Sequence, residues 1–166
     1  MHYIIAAAIA VVAALLEFTV APYLKIGGAT LHPVLVLGVS WAIAGGPEAG
    51  MAWAFVGGLT LDVLGQRPLG SSAFSLLIAI GIAAAIGSTF GRARIVAPVA
   101  ATAVASALYS IVLLAVTTAL TNTALPGSVL GLVVPAAAYD AVLALLIGPL
   151  AVATVTRWRN ADRVTW

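Results

Sequence analysis

Apolar runs set the elements of this chain, because its polar residues are few and fall between them. Six segments separate: Tyr3–Leu24, Pro33–Gly45, Ala49–Leu64, Ser72–Phe90, Ile95–Leu120 and Val129–Val155. Repeated long apolar stretches are the signature of transmembrane helices. The first, fourth, fifth and sixth segments are long enough for a hydrocarbon layer of about 30 Å at ~1.5 Å per residue. The second and third reach only about 20 and 24 Å on that rise. Short tilted spans, a re-entrant hairpin and one broken helix all fit this pair. Joined, they would make about 48 Å of helix interrupted by GGPEAG, too long and too broken for one crossing, so two elements are kept. Pro135 and Pro149 predict kinks in the sixth helix.

Composition supports this pattern. The chain is 63% hydrophobic and 7% charged, with a mean hydropathy of +1.19. Soluble domains carry about 25% charged residues. The expectation is an all-α membrane protein, a six-helix transmembrane bundle forming a single polytopic domain over residues 1–166. The net charge of +2 is a topology signal and gives no reason to invoke nucleic acid. Six crossings with a cytoplasmic N-terminus put Arg92, Arg94, Arg157, Arg159 and Arg163 inside and Lys25 and Arg67 outside, as the positive-inside rule prefers. Five crossings with the N-terminus outside satisfy the rule equally well, and segment length favours six. Residues 156–166 then form a basic cytoplasmic tail suited to anionic lipid. The N-terminus lacks the basic start of a cleaved signal peptide. Without cysteine, thiolate chemistry is excluded.

The intramembrane polar residues are the candidates for function. Gly46, Gly50, Ala54, Gly58 and Asp62 stand four apart, with Gly57 adjoining. Small residues at this spacing make a groove that a second helix backbone can approach closely, from the same chain or from a partner. Asp62 closes the groove at the predicted outer end, where it either serves the following turn or shapes a docking site. Glu17 lies about 10 Å and Asp140 about 16 Å inside the outer ends of their segments. A bare carboxylate in hydrocarbon is costly, so each acid must face protein, water or a partner, or stay protonated. Glu17 is shallow enough to reach headgroups. Asp140 is not, and Ser106, Tyr109 and Ser110 are plausible partners on the fifth segment. His32 and His2 lack a paired ligand that would make either a metal site. No nucleophile elbow, metal-ligand cluster or phosphate loop is present in the sequence, and no cofactor is expected.

The order Pro33, Gly46/Gly50/Ala54, FVGGLTLD at residues 55–62 and then Pro68-Leu69-Gly70 resembles the bacterial rod shape-determining MreD family. Val34 departs from it, standing where the family often carries an acid after the proline. The resemblance implies a non-enzymatic scaffold of the cell-elongation machinery in the cytoplasmic membrane. Its implied partner is MreC, with RodA, a class B penicillin-binding transpeptidase and MreB acting indirectly. It also implies a fold similar to the substrate-binding subunits of energy-coupling-factor transporters. On this reading Gly46, Gly50, Ala54, Gly57, Gly58 and Asp62 shape a groove for a partner helix, and Arg67, Pro68 and Gly70 support the turn. The alternative is a substrate-binding transporter subunit. Glu17, Asp62 and Asp140 would then line an outward cavity for a small cationic or polar ligand, and Ala6, Ala10 and Ala14 would face the transporter partner.

Overall fold

The computed structural model describes residues 2–25, 30–89, 96–122 and 127–162, with side chains over 4–25, 30–87, 99–122 and 127–157. Arg92, Arg94 and Arg163 lie outside the described residues, as does the Arg159 side chain, so the inward charges of the topology reading are mostly outside them too.

The described residues form six α-helices and no strand: α1 His2–Val20, α2 Pro33–Gly45, α3 Pro47–Leu64, α4 Ser71–Thr89, α5 Val96–Thr121 and α6 Val129–Asp162. A 3-10 turn at Ala21–Leu24 extends α1. The six segments read from the sequence return with ends shifted by a few residues. The main departure is at the C-terminus, where α6 runs on through 156–162 instead of ending before a separate tail, and passes through Pro135 and Pro149 without interruption.

Three helical stretches are long and apolar enough to cross a membrane: Ile4–Leu24, Val99–Thr121 and Val129–Arg157. Segment four returns as α4, 19 residues long from Ser71 to Thr89. Over its described side chains, Ser71–Gly87, it is apolar, as is the shorter α2.

Helix α2 explains how so short an element is tolerated. It packs against α1, α3, α4, α5 and α6, which stand around it in the order α1–α3–α4–α5–α6. Val34, Leu35, Val36, Gly38, Val39, Ser40, Ala42 and Ala44 are all buried. A helix apolar on every face is one that protein surrounds, and a half-length helix at membrane depth is admissible when it does not meet lipid. The ring is open at one place: among the described residues, no Cα of α1 comes within 8 Å of a Cα of α6.

Helix directions follow from side-chain neighbours. Gly57 lies beside Val34 and Gly50 beside Ala42, so α2 and α3 run antiparallel. Gly38 meets Ile80, Gly87 meets Ile43 and Gly148 lies near Ser40, so α2, α4 and α6 run parallel. The α2–α3 reversal is made at Gly46, which caps both helices at φ +105°, a left-handed conformation open to glycine.

The glycine ladder fills with this chain's own helices. A Cβ at Gly50 would stand 2.9 Å from the Cα of Ala42 on α2, and one at Gly58 would stand 2.6 Å from the backbone nitrogen of Ala73 on α4. Ala54 is fully buried. Of the two occupants the spacing allows, helices of the same chain are the ones that lie against Gly50, Gly57 and Gly58. Ala6, Ala10 and Ala14 are likewise buried inside, so they offer no face to a transporter partner.

Candidate functional site

The ends of α1 and α3 and the starts of α2 and α4 come together beside Tyr109 of α5 and Asp140 of α6, and the buried acids gather there. A helix start presents backbone N–H groups without intrahelical acceptors and a partial positive charge. Helix α2 begins with Pro33 and has no side-chain cap of its own at His32. Two acids from other helices supply it. Glu17 on α1 accepts from Val34 N at 3.0 Å, and Asp140 on α6 accepts from His32 N at 2.8 Å.

Asp62 on α3 does the same for α4. Its carboxylate accepts from Gly70 N and Ser72 N at 2.8 Å each, and from the Ser71 hydroxyl at 3.0 Å. Its own carbonyl accepts from Arg67 N at 3.0 Å, while Gln66 N reaches the Val63 carbonyl at 3.4 Å. That pair of bonds is a Schellman ending for α3, with Gln66 in the left-handed position at φ +49°. One residue thus closes α3 and opens α4. Of the two roles open to Asp62 in the sequence, service to the turn is the one the geometry displays. Pro68 contributes its carbonyl to Ser71, and Gly70 holds φ +94°.

Around Asp140 a buried network assembles. Ser106 Oγ donates to Asp140 Oδ2 at 2.5 Å, as the sequence suggested, and His32 Nδ1 donates to the same oxygen at 2.8 Å. His32 stands edge-on to the Tyr109 ring at 5.2 Å and faces Thr30 Oγ1 through Nε2 at 3.3 Å. Burial disfavours a charged imidazole, but the bond to Asp140 and its charge outweigh this, so His32 titrates above its ordinary value. The sequence reading set His32 aside as unpaired. Its partner is 108 positions away, beyond any local signal.

Two adjoining cavities open at this end, of about 430 and 270 Å³, and Thr30, His32, Arg67 and Tyr109 line both. Glu17 lines the smaller with Lys25. Asp62 and Asp140 line neither of these two, and their oxygens serve helix starts. Among the described residues no cluster of three or more His, Cys, Asp or Glu side chains is placed to hold a metal.

A family model described as rod shape-determining protein MreD matches residues 1–154 of the chain. No curated protein and no solved structure matches it.

Proposed function

Since the chain belongs to the rod shape-determining MreD family, we propose that it is a non-enzymatic membrane scaffold of the cell-elongation machinery. It sits in the bacterial cytoplasmic membrane with both termini inside and binds the single membrane helix of MreC. Through MreC it supports the RodA glycosyltransferase, the class B transpeptidase and MreB filaments in lateral peptidoglycan synthesis. The match over residues 1–154 is the observation that carries this reading. Two structural features support it. The perimeter is apolar, with Ile4, Phe55, Phe74 and Leu146 among many exposed hydrophobic side chains, as lipid or a partner helix requires. The ring around α2 is open between α1 and α6, where Pro33, Leu37, Trp41 and Gly45 form a half-buried edge four residues apart.

That seam, and not the filled glycine ladder, is the place for the partner helix. A photo-crosslinking residue at position 37 should capture MreC in membranes, while one at Phe74 on the far side should not. Capture at 74 without capture at 37 moves the interface elsewhere. Failure of MreC to co-purify with the wild-type chain under any mild detergent removes the scaffold reading itself.

A further inference from the structure

Opposite charges border the smaller cavity without meeting each other. Glu17 lines it and is only 8% exposed. One of its oxygens accepts from Val34 N at 3.0 Å, and among the described residues the other has no hydrogen-bond partner. A buried carboxylate oxygen left without a donor is costly. Arg67 borders the same cavity from the α3–α4 turn. Its guanidinium has the Ser72 hydroxyl at 3.3 Å, which leaves most of its donors free. Among the described residues no carboxylate lies within 4 Å of it, so Glu17 and Arg67 are not paired directly. Lys25 is exposed at the same cavity, and His32 borders it with Nδ1 held by Asp140.

Neither sign of simple ion fits these walls. A lone cation would meet Glu17 but also Arg67 and Lys25, and a lone anion would meet Arg67 but also the unpaired Glu17 oxygen. A molecule carrying both charges satisfies both walls. Thr30, His32, Arg67 and Tyr109 border the two cavities alike, so a ligand held in the smaller one can extend into the larger. There it would meet Leu113, Leu114 and Leu132, with Ser110 and Thr117 beside them, toward the end of α5 and the start of α6.

We propose that the two cavities together bind an α-amino acid with an apolar side chain. Its ammonium group sits on the unpaired Glu17 oxygen, its carboxylate on Arg67, and its side chain reaches toward Leu113, Leu114 and Leu132. Arginine suits the carboxylate because its planar fork presents paired N–H groups to the two oxygens. Such a ligand is soluble in water and arrives from the exposed side, where Lys25 stands. The site goes beyond the scaffold reading and is independent of it, since it needs no partner protein.

The test uses the full chain alone in detergent micelles at neutral pH. It is titrated with L-leucine, with leucinamide, which lacks the carboxylate, and with 4-methylpentanoate, which lacks the ammonium group. L-Leucine should raise the unfolding temperature, and each analogue should bind about tenfold more weakly, the scale of losing one charge-assisted contact. Arg67→Gln should erase the preference for L-leucine over leucinamide and keep the preference over 4-methylpentanoate. Glu17→Gln should do the reverse, and its amide oxygen can still accept from Val34 N. Absence of stabilisation by L-leucine overturns the proposal, as does equal stabilisation by either analogue. Preferences that stay unchanged in either variant overturn it too. Should a variant not fold, the wild-type ranking of the three ligands decides alone.

Discussion

A carboxylate taken out of water needs donors, and at this end of the bundle helix starts provide them. Glu17 and Asp140 serve α2, and Asp62 serves α4. Removing such an acid leaves buried N–H groups unmatched, at about 1–3 kcal/mol for each group stranded. Asp62→Leu should therefore destabilise the protein by roughly 3 kcal/mol or more, and Asp62→Asn by less, since an amide oxygen keeps one acceptor. Unfolding by heat or denaturant in detergent measures both. Part of this was legible: FVGGLTLD followed by Pro68-Leu69-Gly70 points to an acid serving the turn just after it, and Ser106 was a foreseeable partner for Asp140. His32 was not, because a contact across 108 positions leaves no local trace. It also carries a pH dependence. Its titration is raised in the folded state, so its contribution is complete below its ordinary value of 6.5 and is lost as pH rises through the raised one. Asp140, Glu17, Arg67 and Tyr109 face it from α6, α1, the α3–α4 turn and α5. The unfolding temperature of the wild type should fall over that interval, and His32→Gln should flatten the fall. Equal slopes in the two proteins would remove His32 as the source.

Among the helices, the same small-residue spacing has very different consequences from site to site. Gly58 lies against the backbone of Ala73, which cannot swing aside as a side-chain end can. Gly58→Ala should therefore force α3 and α4 apart, at a cost of about 1–3 kcal/mol from overpacking. Gly81, in the middle of α4, has only the flexible end of Met51 at 3.8 Å. There an added methyl fits, and Gly81→Ala should stabilise the helix by up to ~1 kcal/mol. Opposite signs in paired unfolding measurements would confirm that close approach, and not helix propensity, governs the ladder. Sequence spacing identified the face but not its occupant, because a groove for a neighbour helix reads the same whether that neighbour is linked or foreign. The same limit applied to α2. Its apolar run was evident, and its place at the centre emerged only with the helices that surround it.

At the scale of the molecule, polarity is one-sided. Glu17, His32, Asp62, Arg67 and Asp140 all belong to one end, and the alternating helix directions put the α2–α3 reversal at Gly46 and residue 157 at the other. Positive charge should then decide which end faces the cytoplasm, and on the proposed topology the arginines in residues 92–94 and 157–163 should turn the polar end outward. The geometry fixes which residues share an end but cannot give the sign, since a bundle inverted in the membrane keeps every internal contact. The chain contains no cysteine, so single-cysteine variants read the sign directly. Gln66 is exposed in the α3–α4 turn, and among the described residues its bond is made through its backbone, which makes Gln66→Cys a mild probe. In spheroplasts, a membrane-impermeant maleimide should label Gln66→Cys at once and Arg157→Cys only after permeabilisation. The reverse order would turn the molecule over. A partner acting on the outer side would then have to be reached through the seam alone.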